Sequence, residues 1–308
     1  MWSTRARLFL PAASGALTGL AGINGIDRFG FKRNASCEEI ESSFSQSEFR
    51  RFPILDVKEC GPMTNVIKCK LPSDQHRMGM TVTSYVLVGG AEGGDTGSGA
   101  YTPISTDEQA GYFELLIKGY PNGVVSKYLC SLKAGDSIEV KGPFKKLPYK
   151  ANMKKKIGMI AGGSGITPML QIAKEVLKNP DDKTELTLLF GNQTPKDILI
   201  REELDQLAAD SKGQLKVFYV VDRNDTQDKK IKHVGYMDKA CLSSTLPSPS
   251  PDTLIFICGP PPMIDALAGK KKFRRDDPCK KGHPFFGQGG VSGVLAELKY
   301  EEQMVYKF

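Results

Sequence analysis

A change of hydrophobic period near the middle of the chain narrows the possible folds more than any other feature. From Phe52 to Gly142, short runs such as FPILDVKE, NVIKCKL, TVTSYVLV, YFELLIK and DSIEVKG alternate apolar with polar residues, and turn residues separate them. Successive strand side chains point to opposite faces, so a period of two belongs to an antiparallel sheet with one buried face. One helix-compatible run, Val124–Leu132, interrupts the series, and Gly142-Pro143 closes it. From Lys154 the apolar run IGMIA leads into a helical segment at 168–177. ELTLLFG, a helical 196–209, LKVFYVV, a short helix near 237–242 and TLIFICG follow in turn. Strands alternating with helices build a parallel sheet. The expected fold has two domains, an N-terminal antiparallel β-barrel over 48–150 and a C-terminal α/β parallel-sheet domain over 151–308. A length of 308 residues suits two cores.

Two stretches fit neither pattern. Gly89–Gly99 (GGAEGGDTGSG) reads as a flexible loop, and 270–290, with KKKFRR and FFGQGG, as an exposed basic insertion. The tail ends in a helix-like VSGVLAELKY and a strand-like MVYKF.

The start of the chain has its own chemistry. Residues 1–34 carry Arg5, Arg7, Arg28, Lys32 and Arg33 against Asp27 as the lone acid, in an Ala/Ser/Gly-rich background typical of organelle transit peptides. Leu8–Ile26 is uncharged and about as long as one bilayer crossing, though four glycines, a proline and polar residues dilute it. Residues 1–47 are therefore read as a targeting or anchor segment with a linker, which places the protein in the mitochondrion, at the outer membrane or in the intermembrane space.

Seven cysteines at 37, 60, 69, 130, 241, 258 and 279 form no CxxC pair and are odd in number, which reads as free thiols in a reducing compartment. Three histidines far apart in sequence argue against a zinc site or a histidine-driven hydrolase. A net charge of +7, without an aromatic-interleaved basic stripe, argues against nucleic acid and suits an acidic protein partner.

Three motifs carry chemistry. The first is Ala161–Pro168, AGGSGITP, after a buried strand and before a helix. Gly162, Gly163 and Gly165 let the backbone turn tightly and approach a diphosphate, with Ser164 among them. Thr167 is placed to cap the helix and Pro168 to sit in its first turn, where free N–H groups favour an anion. The second is Cys258-Gly259-Pro260, opening CGPPPM at the end of the last long strand, where ligands of parallel sheets bind. The third is Tyr101-Thr-Pro-Ile-Ser105, followed by Phe113–Lys118 and Gly123-Val-Val-Ser126.

In this order and spacing, with the strand end FYVVDR, these pieces resemble the NADH–cytochrome b5 reductase family of the ferredoxin–NADP reductase superfamily, over roughly Phe49 to Phe308. KKKIGMIAGGSGITPMLQ and EEQMVYKF are closest to the mitochondrial type. The resemblance implies an FAD-binding barrel and an NADH-binding parallel-sheet domain. It places Tyr101 and Thr102 on the flavin, with Leu116 and Lys118 on the next strand, Val125 and Ser126 at the flavin phosphates, and Thr167 reaching across from the second domain. It assigns Gly162, Gly163, Ser164 and Gly165 to the NADH diphosphate, and Cys258, Gly259 and Pro260 to the nicotinamide side. Phe308 becomes a lid or a packing residue. Thr102 and Cys258 stand nearest the hydride transfer. Asp222, at the end of LKVFYVV, can accept hydrogen bonds from the adenosine ribose and repel a 2′-phosphate, favouring NADH over NADPH.

The chain departs from the family where Gly99 and Ala100 replace an Arg-Pro pair and Val124 replaces a lysine. Two cationic contacts to the flavin diphosphate are absent, each worth about 1.5–3 kcal/mol. Lys118 or Lys127 compensates, or the flavin is held loosely, or it is not kept. The expected activity is transfer of a hydride from NADH to FAD and of single electrons to cytochrome b5 or a similar acidic haem protein, by a monomer with possible membrane association through its N-terminus. Lysines 127, 145, 146, 154, 155 and 156 offer a surface for such a partner. The alternatives are a reductase of the same fold acting on a quinone or ferric chelate, and a degenerate flavin-free nucleotide-binding protein.

Overall fold

A computed structural model describes residues 42–274 and 285–308. The targeting segment up to residue 41, and the centre of the 270–290 stretch, lie outside the described residues.

The first half is a six-stranded antiparallel sheet. Its strands are β1 (Arg50–Gly61), β2 (Thr64–Lys70), β3 (Ser84–Gly90), β4 (Gly93–Tyr101), β5 (Tyr112–Lys118) and β6 (Ser137–Lys145), in the order β4-β3-β6-β1-β2-β5. β1 serves two neighbours: Arg50–Pro53 pairs with β6, and from Ile54 onward it pairs with β2, with register shifts between Ile54 and Asp56 and between Glu59 and Gly61. Helix α1 (Val124–Ser131) packs against both edge strands, β4 and β5, and so spans the gap that hydrogen bonds leave open. Alternation does its expected work. Phe113, Leu115 and Ile117 of β5 enter the core beside Phe44 and Phe52, whose rings meet Phe113 edge-on at 5.1 and 5.4 Å.

Two details differ from the expectation. Gly89–Gly99 is not a loop. It forms the end of β3 and most of β4, with Val88 opposite Gly99 and Gly89 opposite Ser98. A Cβ at Gly94 would stand 2.4 Å from the Phe49 ring, so missing side chains here admit an aromatic ring rather than signal mobility. Nor does Gly142-Pro143 end the domain. β6 runs through it to Lys145, with the proline at a register shift against β3, where no ladder N–H is required.

The second half is a parallel sheet. β7 (Lys156–Gly162), β8 (Glu185–Asn192), β9 (Leu215–Val221), β10 (Ile231–Val234) and β11 (Thr253–Cys258) are joined by the last strand, β14 (Val305–Lys307), in the order β10-β9-β8-β7-β11-β14. A small hairpin, β12 (Lys272–Arg274) and β13 (Phe285–Gly287), precedes that last strand. The two faces are clad separately. Ile157, Met159 and Ala161 pack under α2 (Ile166–Lys178) and α3 (Arg201–Asp210), whereas Ile160 faces α4 (Lys239–Thr245), α5 (Pro261–Ala268) and α6 (Gly293–Glu297). Burial on both sides explains why these strands read as continuous apolar runs. The helix expected over 196–209 is divided. Thr194 and Asp197 bond reciprocally to hold Pro195–Asp197 as a separate turn, and α3 starts only at Arg201.

The halves meet on the α2 face. Leu116 and Ile104 from the first sheet join the cluster under α2, and the Lys174 ammonium donates to the carbonyl of Ile104 at 2.8 Å.

Candidate functional site

Strand order reverses between β7 and β11, and the chain leaves them toward α2 and α5 on opposite faces. Such a switch point opens a crevice beyond the carboxyl ends of the strands. Gly162 ends β7, Gly163–Gly165 make one 3-10 turn, and α2 begins at Ile166. The glycines divide the work differently from the sequence reading. A Cβ on Gly165 would stand 2.3 Å from the carbonyl oxygen of Cys258, and one on Gly162 would stand 2.7 Å from Met263 Sδ. Both are packing glycines. Gly163, with φ +51, faces open space, its nearest neighbour being Tyr120 Oη at 3.7 Å. Thr167 does not cap α2. It is the second residue of the helix, buried, and its hydroxyl donates to the carbonyl of Ser164 at 3.3 Å. No side chain caps this end and no acid occupies its first turn, so the positive pole of α2 stays free for an anion.

Opposite the turn lies a cavity of about 390 Å³ lined by Gly99, Tyr101, Lys118, Tyr120, residues 123–126 and Ser164. That volume lies in the range of ligand sites, roughly 300–1,000 Å³. Both halves contribute, and the Tyr120 and Ser164 hydroxyls, 2.9 Å apart, join them. The N–H groups of Val124, Val125 and Ser126 at the start of α1 have no acceptor among the described residues, and Gly123 provides no side-chain cap. Ser126 is buried, and its hydroxyl accepts from the N–H of Tyr120 at 3.3 Å. Lys118 is the one charged side chain in the lining. These groups fit a phosphate-bearing ligand. The Tyr101 ring leans across Gly99, 2.8 Å from where a Cβ would be, so it fills the space of the missing side chain. Burial pushes its hydroxyl far above the ordinary tyrosine range. Thr102 follows, half-buried.

Tyr101 and Cys258 flank the same turn without lining one cavity. Cys258 sits behind Gly165, in the cluster that holds Leu116 and Phe308. Burial raises its thiol pKa, and the ammonium groups of Lys146 and Lys271 offset part of that rise. Gly259 and Pro260 carry the chain from Cys258 into α5, with Pro260 at its N-cap. Phe308 is a packing residue. Its N–H donates to Ile257 at 2.9 Å, and its ring meets Phe256 at 5.5 Å and Tyr306 at 5.1 Å.

Asp222 is exposed just beyond β9, its N–H bonded to the carbonyl of Asn192 at 3.1 Å. Gly235 donates its N–H to the carbonyl of Val221 at 2.8 Å, which brings the next residue, Tyr236, 88% exposed, to the same end of β9. Sequence reasoning missed this residue, because its place depends on β10 pairing in parallel with β9. It also missed Asn192, at the carboxyl end of β8, whose buried amide has no partner for either Oδ1 or Nδ2 among the described residues. Buried polar groups are ordinarily bonded, and a polar ligand at this edge is what such an orphan suits.

The lysines read as a partner surface are scattered. Lys154–Lys156 stand at the amino end of β7, roughly 20 Å from Gly162 at about 3.3 Å per residue. Lys155 is paired with Asp252 at 2.7 Å. Lys146, although exposed, lies near Cys258. Among the described residues no helix is long and apolar enough to cross a membrane.

With this geometry in place, the likenesses are specific. Residues 51–149 match the oxidoreductase FAD-binding domain and residues 159–269 the oxidoreductase NAD-binding domain. The chain is 50% identical over 208 residues to an NADH-cytochrome b5 reductase-like protein of Arabidopsis thaliana, an alignment covering 68% of this chain and 59% of that one. It is 43% identical over 232 residues to NADH-cytochrome b5 reductase 1 of Dictyostelium discoideum, covering 75% and 80%. The chain thus spans about three-fifths of the first relative and four-fifths of the second. Among solved structures, the cytochrome b5 reductase domain of Ulva prolifera nitrate reductase superposes with a TM-score of 0.71 at 28% identity, over 87% of this chain and all of that one. A barrel-like FAD-binding half and a parallel NAD-binding half, meeting at a glycine-rich turn, agree with these likenesses in order and extent, and the chain belongs to the NADH–cytochrome b5 reductase family.

Proposed function

We propose that the protein takes a hydride from NADH onto FAD and passes the electrons singly to cytochrome b5. The observation that carries the reading is the cavity lined from both halves, with free N–H groups at the start of α1 on one side and the Gly163–Gly165 turn on the other. FAD supplies the hydride acceptance and the change from two-electron to one-electron chemistry. The chain's own residues supply position. The first turn of α1 and Lys118 would hold the flavin diphosphate, and Ser126, bonded to the N–H of Tyr120, fixes that turn. Tyr101, Thr102 and Leu116 would hold the flavin ring system. Gly163 and Ser164 receive the diphosphate of NADH, Asp222 accepts from the ribose hydroxyls, and Cys258, Gly259 and Pro260 shape the nicotinamide end. No side chain here is assigned as a general acid or base, because the bound cofactors would supply the hydride chemistry and the residues would supply position.

The domain division at 150/151, a monomeric state and the mitochondrial type are part of the same proposal. The last rests on the Arg-bearing, acid-poor 1–34, with targeting to the outer membrane or intermembrane space and membrane association through this segment.

The test is the visible spectrum of the purified chain followed by turnover. Flavin absorbance, bleached by NADH and restored by cytochrome b5 in a salt-sensitive way, supports the reading. A colourless protein that takes up no added FAD overturns it. Salt-insensitive turnover with quinones or ferric chelates alone replaces the acceptor.

A further inference from the structure

Beside Cys258 two lysines converge from separate elements, Lys146 just after β6 and Lys271 just before β12, and a third, Lys307 on β14, lies near Lys271. They are not equivalent. Lys307 is 3% exposed, its ammonium donates to the carbonyl of Gly290 at 2.9 Å, and Glu302 and Asp265 lie near enough to favour its charge. Lys146 and Lys271 have no ion-pair partner among the described residues, and the group that favours their charge is the Cys258 thiol. Lys146 is an exposed residue, and its ammonium sits 4.9 Å from the centre of the Tyr85 ring and 5.6 Å from that of Phe308. Burial first, and the neighbouring Lys271 second, bring the Lys146 pKa down to about 8. Two positive charges are therefore held against one thiol, and among the described residues no carboxylate pairs with either of them. On the α1 side of the cleft Lys118 is the single charged residue of the lining.

The consequence follows from the charge of the nicotinamide ring, which is zero when reduced and +1 when oxidised. Like charges a few ångströms apart in a cleft of intermediate dielectric repel appreciably, and far more than they do in open water. The adenosine and diphosphate parts are the same in both forms, so only the ring feels the difference.

We propose that Lys146, seconded by Lys271, is a charge discriminator at the nicotinamide end of the cleft. It admits the neutral reduced ring and weakens retention of the cationic oxidised one, so that NAD⁺ is expelled once the hydride has left. This rests on the proposed function only in placing the nicotinamide at Cys258.

Binding, not turnover, tests it. Titration calorimetry on the FAD-loaded protein compares NAD⁺, the 1,4,5,6-tetrahydro analogue of NADH (neutral ring, no hydride to give) and ADP-ribose (no ring). Lys146→Met keeps the stem and removes the charge, and Lys146→Arg keeps both. The expected result is that Lys146→Met tightens NAD⁺ about tenfold and leaves the tetrahydro analogue and ADP-ribose within twofold of the parent protein, while Lys146→Arg stays at the parent value throughout. Unchanged NAD⁺ affinity in Lys146→Met, or a parallel shift of all three ligands, overturns the discriminator and leaves the nucleotide site standing. Failure of the parent protein to bind ADP-ribose overturns the nucleotide site itself, and the discriminator with it.

Discussion

On the sheet side of the cleft, the Gly163–Gly165 turn is gripped from behind. The backbone of Cys258 stands where a Cβ on Gly165 would go, and the Met263 sulfur where one on Gly162 would. On the opposite side, α1 packs its Leu129 into the barrel core but presents an uncapped first turn to the cleft. Val124 is 81% exposed, no side chain caps the helix, and Lys118 alone brings charge. One wall places its N–H groups by close packing and tolerates no extra atom, and the other leaves them free at a solvated helix end. Precision of this kind depends on the backbone behind a ligand site at least as much as on the side chains facing it.

The comparison can be broken most severely at Gly165. Its φ of −63° and ψ of −3° suit alanine, so Gly165→Ala carries only the packing penalty. Overpacking against backbone is expected to cost about 3 kcal/mol, read as a shift in denaturant midpoint with loss of NAD(H) binding. A neutral outcome would mean that α2 and β11 are not held together as tightly as the structure has them.

The α1 wall should behave in the opposite way. Val124→Lys adds a cation at an exposed position without displacing anything and is expected to tighten FAD about tenfold, roughly 1.5 kcal/mol, by flavin fluorescence titration of the apoprotein. Gly99→Arg must first dislodge the Tyr101 ring and is expected to gain less. Equal gains at the two sites would show that the ring is loosely seated.

Smaller effects sharpen the picture at the rims. Asp222 is exposed, so its repulsion of a 2′-phosphate acts through water, and Asp222→Ala should lower the NADH-over-NADPH preference in kcat/KM by about fivefold, roughly 1 kcal/mol. Tyr120→Phe removes the hydroxyl contact with Ser164 at 2.9 Å at a partly exposed site. It should lower stability by about 0.5 kcal/mol, with faster hydrogen exchange in the Gly163–Gly165 turn as the more sensitive reading.

How much was legible in advance depends on how far along the chain each cause reaches. AGGSGITP and CGPPPM were readable because strand, turn and helix follow one another within a few residues. The same locality hid why Gly162 and Gly165 are glycines, since the obstructing atoms belong to a segment about a hundred residues away. Gly89–Gly99 was misread because glycine content signals freedom only when nothing packs on it, and here Phe49 does. Thr167 was misplaced as a cap because helix starts are uncertain by a residue or two when a 3-10 turn leads in.

The sequence by itself determined the two-domain plan, the antiparallel and parallel sheets and the chemical character of both walls, because hydrophobic period and local turn chemistry act over short stretches of chain. The tertiary structure alone decided that Lys146 stands near Cys258, that the Asn192 amide is left without partners among the described residues and that Tyr236 comes to the same end of β9 as Asp222. Those placements arise where one domain docks on the other or one strand folds along another, and the energies that fix them belong to surfaces that exist only once both are formed.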